Sequence, residues 1–599
     1  PGIHLGAGSY GWKDPFRFGT VRLRAVEFAA DQIQIVPGMP ASSVSRQDLA
    51  AWADKIRKQQ KPQESKGSLW QRLTGGITSA SSADIAWNQI KDWKHPMTVE
   101  KLPPPEQMNH PVKITLTRSE SEGVPILLRN LSLNSKSELR VTLSGLPADA
   151  KLEGQIAVAG ALWTLRYGCI LSPLFREGNL LNCGRMDKYL TNARQIWDFP
   201  ALHLEPGEGG LLWLNITTCD TPPGSYQTRL ELGAGHPSIP IEVEVLAAEL
   251  PRPRLFVRPW GQPTRMLPFT TRERLKNEIS YMLDSGYRLF NENDSDAVVT
   301  PAQAQWSPFR RASFQIAREI NKQAFCLSMF PGYIPPEIRK DRAKGQALLQ
   351  EPAFQEGLRQ RVKNLVSMAT LNGLDYADWV IELWDEPGIQ GENDYLLYAD
   401  MARMIKAADP KVRISCDPYL RVKDASGNLR NASSGEALKL LQETEYSKWC
   451  DVSMPIEWMA NMPELRPQLA GADRAFNLYY VHPCPGRGMP WKAFGMGCNG
   501  WGYYSYFRGP DACIDSDPWT DFDEGRGGSD YVVVYPGPQG AVPTFLSEEM
   551  REGHDDFCLL TLLKTKRFKA EVESLLNDKV PFTERRQRAM ELLRKSIPR

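Results

Sequence analysis

Asp385 and Glu386 stand side by side where the apolar run Trp379-Val380-Ile381-Glu382-Leu383-Trp384 gives way to Pro387. Two carboxylates at the point where a buried strand opens into a loop can divide acid/base work. One can be kept neutral to donate a proton while the other stays ionised and stabilises positive charge. The bland alternative is a helix start, with Asp as cap and Pro in the first turn. Placement at the end of a predicted strand is what favours chemistry.

Neighbouring side chains on an extended segment point apart. Asp385 and Glu386 are therefore not expected to flank one bond as acid and nucleophile. They fit two jobs on one sugar that carries a 2-acetamido group. Glu386 would protonate the leaving oxygen. Asp385 would hold the acetamido N–H while the acetamido oxygen attacks the anomeric carbon, so the substrate supplies the nucleophile. Two rivals stay open: a glycosidase for neutral sugars that pairs Glu386 with Asp417 or Glu457, and a carbohydrate-binding protein without catalysis.

The elements that must position these residues are legible as alternating strands and helices from about residue 254. Eight strand candidates occur: Leu255–Val257, Arg288–Phe290, Ala324–Met329, Trp379–Trp384, Val412–Cys416, Asp451–Pro455, Phe476–Val481 and Gly500–Tyr506. Helical stretches separate most of them. Eight such units predict a (β/α)8 TIM barrel, whose active sites lie at the C-terminal strand ends. An open doubly wound sheet is the alternative, but no Gly-rich dinucleotide fingerprint follows a strand. The strand ends nominate further residues. Trp384, Trp458, Trp491, Trp501 and Trp519 are candidates for a stacking platform under a sugar ring, or for core. Tyr479 and Tyr480 alternate faces, so one should point inward, where a phenol could hold the acetamido carbonyl. His482 and Asn291 are candidates for sugar hydroxyls. Glu292, beside Asn291, is a weaker one.

Before the predicted barrel, residues 106–252 alternate in short runs such as Val112–Thr117 and Ile241–Val245, separated by turn residues. This reads as a β-sandwich domain. Residues 1–105 form a mixed N-terminal region, with a strand-like Val21–Phe28, a helical Asp48–Ile56 and a Pro103-Pro104-Pro105 linker. The barrel is expected over 253–560 and a helical C-terminal tail over 561–599.

Charge narrows the partners. Against 72 Lys plus Arg stand 71 Asp plus Glu, a net of +1 over 599 residues. That gives no electrostatic case for nucleic acid or an anionic membrane. No run is long enough for a membrane span. The ten Cys show no zinc-site spacing, so buried free thiols are expected, with a Cys169–Cys183 disulfide the open alternative.

Two stretches carry a family likeness. One is Asp385-Glu386-Pro387. The other runs Asp517-Pro518-Trp519, Tyr535-Pro536-Gly537 and Val542-Pro543-Thr544, and closes with Glu548 and Arg551-Glu552-Gly553-His554-Asp555-Asp556-Phe557. Through them, with Pro222-Pro223-Gly224-Ser225-Tyr226 and Glu249-Leu250-Pro251 upstream, the chain resembles glycoside hydrolase family 123, the β-N-acetylgalactosaminidases, over about residues 110–560. It departs at Leu546, where the family has Arg, and at Gly528-Ser529-Asp530, where the family has a Gly-Asp-Gly turn. The resemblance implies that Asp385 orients the acetamido group and Glu386 is the acid/base. It implies no metal or organic cofactor. The expected activity is exo-acting, retaining cleavage of terminal β-linked 2-acetamido sugars, N-acetylgalactosamine first, from a glycan, glycolipid or oligosaccharide. A secreted or periplasmic site suits such substrates, with the cytoplasm as alternative.

Overall fold

The computed structural model describes residues 46–60, 84–90, 103–132, 134–147, 149–159, 174–175, 201–253, 255–261, 271–292, 308–321, 326–329, 334–371, 373–471, 474–480, 486–507, 533–537, 539–566, 568–577 and 579–597. The strand-like stretch at 21–28 and the cysteines 169 and 183 lie outside these. The chain divides into two compact units, one built mainly from residues up to Glu249 and one mainly from Leu250 onward.

In the first unit, alternation builds two sheets. Ile85–Gln89, Ser121–Asn130, Gly209–Thr218, Leu152–Ala159 and Leu174–Phe175 form an antiparallel sheet in that order. Val112–Arg118, Ile239–Glu249, Gly224–Glu231 and Thr142–Ser144 form the other. Within Val112–Arg118, Val112, Ile114 and Leu116 are buried and Lys113 is exposed, as a period of two requires. These join Ile126, Leu128, Leu212, Leu214 and Val243 in one apolar core that both sheets share. Ile85–Gln89 belongs to this sheet although it precedes the boundary expected near 105. The run Leu139–Leu143 alternates in sequence as one strand would, but it is broken at Val141. Ser137–Arg140 pairs with Ala201–Leu204, whereas Thr142–Ser144 pairs with Gly224–Glu231.

Among the described residues, the second unit holds eight parallel strands: β1 Arg258–Gly261, β2 Leu289–Glu292, β3 Cys326–Met329, β4 Trp379–Ile381, β5 Ser415–Cys416, β6 Val452–Ser453, β7 Ala475–Tyr480 and β8 Gly500–Phe507. They form a three-stranded sheet, β2-β3-β4, and a five-stranded sheet, β1-β8-β7-β6-β5. A parallel bridge, Ile381 to Ile414, leads from β4 to β5. The Arg288 N–H donates to the Val257 carbonyl at 3.0 Å, just ahead of β2 and β1. Each strand thus neighbours its successor, and the last neighbours the first. The first strand begins at Arg258 rather than at the apolar Leu255–Val257, because the Arg258 charge is matched inside the fold. Helices follow the strands, among them α1 Arg272–Asp284 after β1, α2 Glu392–Ala408 after β4 and α3 Phe545–Thr565 beyond β8. Two further helices, Lys569–Asn577 and Phe582–Ser596, close the chain. No helix among the described residues is long and apolar enough to cross a membrane.

Strand β8 decides which way its aromatic residues face. A Cβ on Gly502 would stand 2.4 Å from the Trp260 ring and 2.8 Å from the Met454 sulfur. Gly502 therefore faces inward and leaves the space that Trp260 fills. Trp501 and Tyr503, one residue to either side, face outward. Gly502→Ala should force Trp260 out of place and cost about 1–3 kcal/mol. A lowered melting temperature together with altered Trp fluorescence would bear this out, and unchanged values of both would refute it.

Candidate active site

Glu386 sits in a sharp bend. β4 stops at Ile381, and the chain through Trp384, Asp385 and Glu386 is bent rather than extended. Glu386 has φ +48°, a left-handed conformation that costs a residue with a Cβ about 1–2 kcal/mol. The surroundings hold it there. The Glu386 N–H donates to Asp417 Oδ1 at 3.2 Å and the Gly388 N–H to Asp394 Oδ2 at 2.8 Å. The Tyr419 N–H donates to the Pro387 carbonyl at 3.1 Å. Gly388 has φ +100°, and a Cβ on it would lie 3.0 Å from the Tyr419 carbonyl oxygen.

The bend overrides strand alternation. Asp385 and Glu386, expected to point apart, converge on one pair of aromatic residues. Trp260 Nε1 donates to Asp385 Oδ1 at 3.1 Å. The Tyr479 hydroxyl donates to Glu386 Oε1 at 2.6 Å. The two rings are 5.3 Å apart. Asp385 is exposed and Glu386 half-buried. Burial pushes the Glu386 carboxyl up to about 7; the Tyr479 bond pulls the other way, and the Asp385 charge pushes further up. A carboxyl poised near neutrality can carry a proton to a reacting atom and take it back.

Behind this pair lies a fully buried ion cluster. Arg258 Nη1 is 2.5 Å from Glu382 Oε2, with neither side chain exposed. The guanidinium also lies 4.0 Å from the centre of the Trp260 ring, a cation–π contact. Burial works against the Arg258 charge, but Glu382, Asp417 and Asp385 together hold its pKa above the ordinary value. One carboxyl oxygen from each of Glu382, Asp385 and Asp417 lies within 4.8 Å of the other two. Such a trio could bind a cation, but Arg258 already supplies one against Glu382. Two like charges at that separation repel by about 3–4 kcal/mol at an effective dielectric near 20. The outcome is written on Asp417. Burial, then the charges of Glu382 and Asp385, push its pKa well above the ordinary carboxylate value, and Arg258 offsets only part of this.

The remaining predicted residues scatter. Tyr479 is the inward phenol of its pair, but its bond goes to Glu386. Trp458 packs edge-on against Tyr419, 6.2 Å between ring centres, beside the loop that carries Glu386. Trp384 faces away. It packs on Tyr398 of α2, at 5.0 Å, and beneath the Arg339 guanidinium, at 5.2 Å, because the bend begins at this residue. Trp501 is also removed from the platform, turned outward on β8 against Phe557 and His554. Trp491 is buried and donates to Asp556 at 2.7 Å. Asn291 lies in β2 and Tyr480 in β7, but their side chains are outside the described residues, as are His482 and Trp519 altogether. Arg258, Trp260 and Glu382 were missed. Two of them carried a signal: Arg258 and Glu382 are single charges inside apolar runs, which is the mark of a buried pair.

The closing block of the family likeness is structural here. On α3, Arg551 bonds Glu548 at 2.9 Å and also pairs with Glu552. Asp556 accepts from Arg487 at 2.6 and 2.9 Å and from Arg586 at 2.9 Å. Gly286 lies against the ring of His554. These charges pin elements of the second unit together, and none of the contacts just given runs to the Asp385–Glu386 bend.

A raised Glu386 makes stability fall as pH rises. The folded state holds its proton up to about pH 7, whereas the unfolded chain releases it at an ordinary carboxylate pKa, so the cost of the buried charge grows across that window. Glu386→Gln should therefore stabilise the protein by roughly 1–3 kcal/mol at pH 8 and by little near pH 4. Melting temperatures of both proteins from pH 4 to 8 test this, and parallel curves would rule it out.

No family profile matches the chain, and no curated protein matches it. Among solved structures it is similar to a family 123 glycoside hydrolase from Clostridium perfringens, at 13% identity and TM-score 0.48, over 81% of this chain and 92% of that one. It is also similar to a β-D-glucuronidase of Dictyoglomus thermophilum, at 8% identity and TM-score 0.29, over 75% of this chain and 69% of that one. Morphinone reductase is a third, at 12% identity and TM-score 0.25, over 42% and 82%. At these scores none of them assigns an activity.

Proposed function

We propose that the chain is a retaining glycoside hydrolase acting on terminal β-linked 2-acetamido sugars, with N-acetylgalactosamine as first candidate, by substrate-assisted catalysis. The observation that carries the reading is the pairing of a half-buried Glu386, poised near pH 7 and bonded to Tyr479, with an exposed Asp385 oriented by Trp260. The ring of strand pairings is read as a (β/α)8 barrel, and the first unit as a β-sandwich preceding it. Glu386, protonated, gives its proton to the leaving oxygen as the acetamido oxygen closes on the anomeric carbon. Asp385, as carboxylate, accepts the acetamido N–H and stabilises the charge that grows on that nitrogen. Glu386 then takes a proton from the water that opens the oxazolinium. Tyr479 steadies Glu386 whenever it is anionic. Trp458 with Tyr419 offers an aromatic wall for a sugar face. Substrates would be glycans, glycolipids or oligosaccharides met outside the cell or in the periplasm.

The two-carboxylate alternative is less favoured. Asp417 is fully buried and accepts the Glu386 N–H, and Glu457 is paired with Lys492. Neither stands ready to bond a sugar carbon.

A panel of aryl glycosides with and without the 2-acetamido group separates the two. Turnover should require the acetamido group. Glu386→Gln should abolish cleavage of alkyl glycosides yet spare activated aryl ones, whose leaving groups depart without a proton. Equal loss on both, or turnover of 2-hydroxy glycosides alone, would overturn the assignment.

Asp385→Asn should lower kcat on 2-acetamido substrates by 10²-fold or more with little change in KM, since the lost interaction strengthens only in the transition state. Added azide should yield no glycosyl azide. An azido sugar of inverted anomeric configuration would identify Asp385 as a nucleophile instead.

A further inference from the structure

We infer that Asp417 is the positioning residue for Asp385: as a neutral acid it donates a hydrogen bond to the Asp385 carboxylate and fixes the direction in which that carboxylate faces the site. The inference rests on the proposed role of Asp385. Its basis is the way the two oxygens of Asp417 are used. Oδ1 accepts the Glu386 N–H at 3.2 Å. Oδ2 is buried and has no hydrogen-bond donor directed at it. An ionised carboxylate sealed from water needs donors on both oxygens. The Asp417 carboxyl has instead two carboxylates near it: one oxygen each of Asp385 and Glu382 lies within 4.8 Å of one of its own. Asp385 is the side chain placed to share a hydrogen with the Asp417 carboxyl. A proton on Oδ2 turns this repulsive approach into a carboxyl-to-carboxylate bond, short and strong by nature.

The groups facing Asp417 point the same way. From β1 comes Arg258, already 2.5 Å from Glu382 and lying on Trp260. After β4 come Glu382, Asp385 and the backbone of Glu386. β7 brings the Tyr479 phenol, α2 the Tyr398 phenol and β5 the Cys416 thiol. One cation thus faces three carboxylates, two of them fully buried. Asp385 is exposed and would otherwise swing among rotamers. With Trp260 Nε1 on Oδ1 and the Asp417 acid as second donor, its carboxylate is held from two sides. Glu386 is tied to the same residue through its N–H, so Asp417 sets both members of the catalytic pair.

Difference infrared spectroscopy tests the proton directly. The full chain carrying Glu386→Gln, which removes the other carboxyl poised near neutrality, is labelled with carboxyl-¹³C aspartate. At pH 8 it should show a protonated carboxylic carbonyl band that shifts with the aspartate label and disappears on adding Asp417→Asn. Absence of any aspartate-derived band, or its persistence in Asp417→Asn, overturns the inference whatever the enzyme acts on. The second arm is kinetic, in the otherwise unaltered enzyme with an aryl 2-acetamido glycoside. Asp417→Asn, whose amide donates the same bond, should keep kcat within about tenfold. Asp417→Ala should lose 10²-fold or more in kcat with KM little changed. Equal losses in folded Asn and Ala variants would overturn the positioning role. Stoichiometric calcium binding by the protein, lost in Asp417→Asn, would put a cation where the proton is placed and would also overturn it. Failure of every aryl glycoside would sink the functional reading while the infrared arm still decides the inference.

Discussion

The placement of one buried guanidinium governs the site. Arg258 enters the interior at the start of β1, where no water reaches it, and it can stay charged only beside carboxylates. Glu382 meets it in an ion pair, and Asp385 and Asp417 add their charges. The same guanidinium lies on the Trp260 ring, and Trp260 in turn donates to Asp385. The chain therefore runs from charge to ring to carboxylate without a break. Removing any member would leave an uncompensated charge or an unheld ring. Gly502 belongs to this chain despite having no side chain, since its missing Cβ is the room in which Trp260 lies.

That chain was missed in the sequence, whereas the acidic pair and most of the strands were legible, and the failures have physical causes. The Asp385–Glu386 pair could be found because two charges end an apolar run. The eight strands could be placed because buried parallel strands are continuous apolar segments. The first strand was set too early because Arg258 looks like a boundary when its partner lies 124 residues away at Glu382; sequence displays a charge and conceals what neutralises it. The side chains of Asp385 and Glu386 were expected to diverge because strand alternation was extended through a bend that begins at Trp384. That bend depends on the left-handed Glu386 and on bonds from Asp417, Asp394 and Tyr419, none of them local enough to be read from a motif. Trp384 and Trp501 are rich in ring surface, yet composition cannot say which face of a strand a ring takes.

The family likeness illustrates a separate lesson. Its longest block, from Glu548 to Phe557, reads as dense functional chemistry: six charged residues and a histidine within ten positions. In three dimensions those charges answer one another, Arg487 just ahead of one helix and Arg586 on another. A helix that packs many ionisable groups in the interior fixes its register strongly, because a slip would strand each charge without its partner. Such a block can be as recognisable as a catalytic motif while performing only assembly.

The site itself is a gradient of burial applied to a single functional group. Asp385 is open to solvent, Glu386 is half-buried, and Glu382 and Asp417 are sealed. One guanidinium pairs with Glu382, and no second cation of the cluster meets the other carboxyls among the described contacts. Partial burial with a phenol donor leaves Glu386 poised near neutrality, the condition under which a carboxyl can both give and recover a proton. Complete burial drives Asp417 toward the neutral form. The backbone sets this order rather than the residue types: β4 ends early enough for the bend to lift Asp385 and Glu386 outward, while β5 delivers Asp417 behind them. Acidic side chains of almost identical intrinsic acidity thereby acquire different duties, and the difference lies in how far each stands from water.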